Sequence, residues 1–134
     1  VTGKPSFELP EGEMEIGIGI HGEPGIHRGE LETADQIVDR LLGPLMEDLS
    51  LASGDRVAVL VNGMGSTPLE ELYVMYRRVH EVLSGKGITV AKVYIGEYAT
   101  SLEMAGASLS LLALNDDRLA LLNAPAKSPF FQEG

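Results

Sequence analysis

The sequence predicts a two-layer α/β domain, α+β-like in its connections, with a mixed six-stranded sheet and helices mainly on one face. Three observations lead there. Short apolar runs rich in β-branched residues recur along the chain, two longer segments carry apolar residues at helical spacing, and Gly-, Pro- or Asn/Asp-containing turns separate them. The 134 residues read as a single domain, 1–134, large enough to bury a core. With 44% hydrophobic and 22% charged residues, the composition is that of a globular chain.

Residues 6–9 suit a short strand closed by Pro10-Glu11-Gly12. The next strand, over 13–21, alternates with period two: Met14, Ile16, Ile18 and Ile20 point one way, and Glu15, Gly17, Gly19 and His21 the other. Its turn runs through Gly22-Glu23-Pro24-Gly25 as far as Gly29. A first helix starts near Thr33, where Thr33 and Gln36 form a capping-box pair. Ile37, Val38, Leu41, Leu42, Leu45, Met46 and Leu49 form its apolar stripe, with a kink or break expected at Gly43-Pro44. After the Ser53-Gly54-Asp55 turn, 56–61 is a buried strand. It ends in Asn62-Gly63-Met64-Gly65-Ser66-Thr67-Pro68, where Thr67 as N-cap, Pro68 and Glu70 signal a second helix.

Leu69, Leu72, Tyr73, Tyr76, Val79, His80 and Leu83 form one face of that helix, with Val74, Met75 and Val82 off it. A strand over 88–95 sets Ile88, Val90 and Tyr94 opposite Ala91, Val93 and Ile95. A polar connection over 96–104 follows, in which Thr100 and Glu103 cap a single helical turn. Segments 105–114 and 118–122 read as a hairpin turning at Asn115-Asp116-Asp117. In the tail, Phe130-Phe131 packs on the body or on a neighbouring domain.

The net charge of −10, from 20 acidic and 10 basic residues, argues against a nucleic-acid or anionic-membrane surface. No apolar run approaches the length of a membrane span. Without cysteine there is no thiolate nucleophile or Cys-type metal site, and the three histidines form no HExxH pattern, so no metal site is expected. The lack of cysteine and of a signal peptide fits the cytoplasm. Val1 stands where an initiator methionine would, and Thr2-Gly3-Lys4-Pro5 reads as the exit from a preceding segment, which suggests a domain of a longer polypeptide.

His21 is the leading candidate for chemistry. Two glycines strip side chains from the strand face that leads to it, and a neutral imidazole carries a free nitrogen lone pair, suiting a nucleophile or general base. The alternative is a hydrogen-bonded structural histidine at a strand end. Glu23 can accept the second ring N–H and fix the tautomer, or be an exposed turn residue. His27, beside Arg28, reads as a surface-loop histidine, and His80 as a packing residue. The loop Asn62-Gly63-Met64-Gly65-Ser66-Thr67 precedes a helix N-terminus, where phosphate binds readily, but it lacks the P-loop lysine.

The run Gly17-Ile18-Gly19-Ile20-His21-Gly22-Glu23-Pro24-Gly25-Ile26 resembles the dihydroxyacetone kinase family, in its substrate-binding K part. So do Gly54-Asp55-Arg56-Val57, Val61-Asn62-Gly63-Met64-Gly65-Ser66-Thr67-Pro68-Leu69-Glu70-Glu71-Leu72 and Thr100-Ser101-Leu102-Glu103-Met104-Ala105-Gly106, with Leu119-Ala120-Leu121 and Ala124-Pro125 closing the match. The resemblance implies the second, C-terminal domain of a two-domain K fold, in which His21 forms a hemiaminal with the carbonyl carbon of dihydroxyacetone. It implies a substrate site at His21, Gly17, Gly19 and Glu23 and phosphorylation to dihydroxyacetone phosphate, with no cofactor on this chain. ATP or ADP with Mg would sit on a separate domain or partner subunit. It further implies a homodimer, a first domain supplying the proton-transfer groups, and an inactive chain without them. A dihydroxyacetone-binding regulator of the same fold is the alternative.

Overall fold

The computed structural model describes residues 7–19 and 23–133. Among them are seven strands and three helices. In chain order these are β1 (Glu13–Ile16), β2 (His27–Glu30), α1 (Ala34–Asp48), β3 (Arg56–Gly63) and α2 (Leu69–Gly85), then β4 (Thr89–Gly96), β5 (Ala107–Leu114), α3 (Asp116–Leu122), β6 (Ala126–Lys127) and β7 (Gln132–Glu133). The mixed sheet is present, with order β4-β3-β5, β4 parallel and β5 antiparallel to the central β3. It has three strands rather than six, because β1 pairs with β2 and β6 with β7 in separate two-stranded ribbons.

The core lies on one face of β3. Val57, Val59 and Val61 alternate onto that face and are fully buried, against Val38 and Leu42 of α1 and Leu72, Met75, Val79 and Leu83 of α2. Helix α1 begins as its sequence demands. Thr33 accepts the Gln36 N–H while the Gln36 side chain caps Thr33 in return. It continues through Pro44 without a break, because the apolar stripe on both sides of the proline, from Val38 and Leu42 to Leu45 and Met46, packs into one core.

On α2 the buried side is centred on Leu72, Met75, Val79 and Leu83, with Val82 packed against it. Met75 and Val82 thus belong to the core side, while Leu69, Tyr73 and His80 of the expected face are exposed. The expected alternation of β4 changes for a different reason. The β3–β4 register skips Ala91, so Val90 and Val93 both lie on the inner face, beside Val57 and Val59. A bulged residue adds one to the count, and the side-chain period shifts with it.

The opposite face carries Leu60 and Tyr94 and is covered by α3 and the β6–β7 ribbon. Leu60, Tyr94, Tyr98, Leu121, Leu122 and Phe131 surround a hollow of about 380 Å³ there. Phe131 packs its ring 6.0 Å from Tyr94, and Lys92 Nζ reaches Glu133 Oε1 at 2.5 Å, so the tail returns to the sheet. Phe130 does not join it and is almost wholly exposed.

The expected strand over 118–122 is helix α3. Asn115 accepts the Arg118 N–H at 2.8 Å, and Asp116 and Asp117 occupy the positive first turn. The same Asn-Asp-Asp chemistry that suits a hairpin turn also suits a helix start. Residues 7–9 are not a strand, and 97–103 form no helical turn.

Candidate functional site

The segment singled out by its glycines is the connection of the β1–β2 hairpin. The two strands pair antiparallel in the register Glu13↔Glu30, Met14↔Gly29, Glu15↔Arg28 and Ile16↔His27. Met14 and Ile16 are buried, as the alternation requires, while Glu15 is half-buried. The strand ends at Ile16, well before the alternation does, because Gly17 turns the chain at φ +82°. That conformation is open to glycine and unfavourable to any residue with a Cβ. His27, expected in a loop, begins the return strand instead.

Three hydrogen bonds close the connection. The Ile26 N–H donates to the Ile16 carbonyl at 2.8 Å, adding a rung beyond the ladder. The Gly25 N–H donates to Glu15 Oε1 at 2.7 Å. The Gly19 N–H donates to the Glu23 carbonyl at 3.0 Å, joining the described residues on either side of the connection. Those three residues, His21 among them, lie outside the described residues.

The glycines are needed for close approach within the chain itself. A Cβ on Gly19 would fall 2.0 Å from Glu23 Oε2, so the Glu23 carboxylate fills the space that glycine leaves. A Cβ on Gly25 would lie 2.4 Å from the Ile16 carbonyl oxygen and 2.7 Å from Glu15 Cγ. The face that the two glycines strip of side chains is therefore occupied at Gly19 by a neighbouring side chain. Of the candidate residues, Gly17, Gly19 and Glu23 come together in this connection. Glu15 was missed by sequence reasoning, since periodicity gives it only an outward direction and says nothing of a partner ten residues on.

The glycine loop after β3 is a different case. Its Met64 N–H donates to the Gly106 carbonyl and its Ser66 N–H to the Met104 carbonyl, each at 3.1 Å. Ser101 Oγ donates to the Met64 carbonyl at 2.6 Å. The Thr67 hydroxyl donates to the Gly106 carbonyl at 2.8 Å, so the residue expected to cap α2 is engaged elsewhere and Pro68 takes the cap position. Gly65 sits at φ +110°, and a Cβ there would meet the Ser101 carbonyl oxygen at 2.9 Å. Donors that would cradle a phosphate are thus used to hold the segment after β4.

Asn62, read from the sequence only as the start of the glycine loop, lies within β3 and organises that junction. It is 1% exposed, accepts the Tyr98 and Ala99 N–H groups through Oδ1, and donates through Nδ2 to the Ala99 carbonyl at 2.9 Å. Among the described residues no cluster of three or more His, Asp or Glu side chains could hold a metal ion. Nor is any described helix long and apolar enough to cross a membrane.

The Dak1 domain family model matches residues 1–130. The chain belongs to the Dak1 domain family. The dihydroxyacetone-binding subunit DhaK of PTS-dependent dihydroxyacetone kinase 2 from Listeria innocua is 48% identical over 132 residues, which cover 98% of this chain and 40% of that subunit. The L-erythrulose kinase of Pectobacterium atrosepticum is 42% identical over 134 residues, covering 97% of this chain and 23% of the kinase. A solved structure described as "Regulation of the dha operon of Lactococcus lactis" superposes with a TM-score of 0.83 at 33% identity, covering 94% of this Dak1 chain and 40% of that one. This chain thus spans about two fifths of the length of the Listeria subunit.

Proposed function

We propose that this Dak1 chain is the C-terminal domain of a two-domain substrate-binding subunit of a dihydroxyacetone kinase, and that His21 anchors the substrate as a covalent hemiaminal. The observation that carries the reading is the connection of β1 and β2. The segment matching the family's His-Gly-Glu-Pro-Gly run is closed by its own hydrogen bonds on both sides of residues 20–22. A nucleophile gains most from such pre-organisation, because its reacting atom must already lie near the carbonyl carbon.

In the proposed step, one ring nitrogen of His21 adds its lone pair to the ketone carbon and the C=O π pair moves to oxygen. The oxygen takes up a proton as the other ring nitrogen gives one up, so no co-reactant is consumed. Glu23 would accept the second ring N–H and select the tautomer. Gly19 would serve the site by admitting the Glu23 carboxylate, and Gly17 by turning the chain. Glycerol has hydroxyls but no carbonyl to attack, so the anchor discriminates against it. The names of the relatives, dihydroxyacetone-binding subunit and L-erythrulose kinase, support a short hydroxyketone as the substrate class.

Phosphoryl transfer to a terminal hydroxyl would use a nucleotide, ATP or ADP with Mg, on a separate domain or subunit. It is largely positioning and charge stabilisation, so this chain without those parts would not turn over. The reading includes a cytoplasmic setting and a homodimer, for which the exposed Leu69, Tyr73 and Val74 of α2 offer an apolar strip.

Dihydroxyacetone labelled with carbon-13 at the ketone, added to the complete polypeptide, should give the NMR signal of a tetrahedral hemiaminal carbon. His21→Ala should abolish it, and retention in the variant would overturn the role given to His21. A second reading, a dihydroxyacetone-binding regulator, is favoured by the operon-regulation structure. Formation of dihydroxyacetone phosphate on supplying a nucleotide-binding partner separates the two.

A further inference from the structure

We propose that Glu15 is a positioning residue for the His21 loop, acting through the Gly25 amide. The proposal rests on the hemiaminal reading and adds to it the group that sets the loop's register.

Arg28 stands directly across the ladder from Glu15, where an ion pair would be expected. Its guanidinium is engaged instead with Glu13, Nε donating to Oε2 at 2.8 Å. The Glu15 carboxylate turns the other way, along the strand, and accepts the Gly25 N–H at 2.7 Å. A carboxylate accepting a backbone amide is about twice as strong as a neutral pair and has a narrow preferred geometry. Gly25 follows Pro24, which has no N–H, so Gly25 and Ile26 supply consecutive amides on the return limb. One is held by the side chain of Glu15, the other by the carbonyl of Ile16.

The fit is tight on the other side as well. A Cβ at Gly25 would approach Glu15 Cγ to 2.7 Å and Oε1 to 3.0 Å, so the glutamate stem and the glycine backbone occupy adjoining space. The outgoing limb turns at Gly17 and the return limb is pinned at Gly25 and Ile26. These two limbs flank, in sequence, the segment that carries His21. Loss of the Glu15 contact would let the return limb slide, and a displacement of about 1 Å at a reacting atom can cost about a hundredfold in rate.

The test compares the complete wild-type polypeptide with Glu15→Ala and Glu15→Gln, read by carbon-13 dihydroxyacetone titration and by hydrogen exchange of the Gly25 amide. In Glu15→Ala, hemiaminal affinity should fall about tenfold to a hundredfold and Gly25 exchange should accelerate on a similar scale. Glutamine keeps an acceptor oxygen at the same reach, so Glu15→Gln should restore both to within about threefold of wild type. Wild-type affinity in Glu15→Ala alongside fast Gly25 exchange would overturn the proposal, since the loop's register would then be irrelevant to capture. A Glu15→Gln variant as impaired as Glu15→Ala would also overturn it, because the effect would follow the charge and not the amide bond. Absence of any hemiaminal in wild type removes the reading of His21 itself, and is seen before the variants are compared.

Discussion

The body around β3 and the β1–β2 hairpin are held together by different physics. In the body, Val38, Leu42, Val57, Val59, Val61, Val79 and Leu83 are all completely buried, and the two long helices close over one face of the sheet. In the hairpin, Met14 and Ile16 are the buried apolar residues among those described, while Ile26 is 75% exposed and Leu31 66%. Its connection is defined by three directional bonds, from Gly19, Gly25 and Ile26. Burial supplies free energy with little directional preference, at about 25 cal/mol per Å² of apolar surface. Hydrogen bonds contribute about 1 kcal/mol net each but determine where backbone atoms lie. Stability resides in the first region, and the proposed chemistry needs the second.

The sharpest way to separate the two is Leu72→Ala. Leu72 is 1% exposed in the centre of the core, and the cavity left behind should cost about 3 kcal/mol, measured by urea unfolding. Hemiaminal formation in the still-folded variant should change by less than about twofold. If capture is lost while the fold persists, the two regions are not independent.

Gly25→Ala approaches from the other side. The new methyl group would fall on the Ile16 carbonyl and the Glu15 stem, so the return limb must open. Hemiaminal affinity should drop by about tenfold or more, with unfolding stability within about 1 kcal/mol of wild type, because the hairpin can open locally. A stability loss as large as that of Leu72→Ala would mean that hairpin and body unfold as one unit.

The smallest effect is expected at the α1–α2 rim. A hydrogen bond from Arg78 first, and its charge second, hold the Asp39 carboxyl below its ordinary range, with partial desolvation opposing them. A carboxyl with a depressed folded-state pKa stabilises the fold above its unfolded pKa, about 3.9, and loses that contribution as the pH falls through the folded value. Asp39→Asn should therefore flatten the acid limb of a Tm-against-pH curve below about pH 4 and leave hemiaminal formation at neutral pH unchanged. Because Asp39 and Arg78 are both solvated, the change should shrink further in salt.

The body was largely legible in advance. Thr33 and Gln36 announce α1, the valines of 56–61 announce β3, and each reading depends only on residues a few positions apart. Misreadings arose where one local chemistry serves two structures. Asn115-Asp116-Asp117 suits both a hairpin turn and a helix start, and the chain's course after β5 selects the helix. Thr67 has the features of an N-cap, yet the carbonyl of Gly106, 39 positions away, takes its hydroxyl. At Ala91 a bulge reverses the inward and outward sense of the next residues, and only pairing with β3 reveals it.

The same division runs through the site. By itself the sequence determined the residue types: an imidazole in a Gly-x-Gly-x-His-Gly-Glu-Pro-Gly run, two glycines that relieve steric limits, and the family to which that pattern points. Those properties are local, because side-chain chemistry and backbone freedom belong to each residue alone. The tertiary structure decided that the strand stops at Ile16, that the Glu23 carboxylate fills the space above Gly19, and that Glu15 holds Gly25. These are contacts between limbs of a hairpin, chosen by the pairing of β1 with β2. Periodicity shows which way a side chain points, while pairing determines what it meets there.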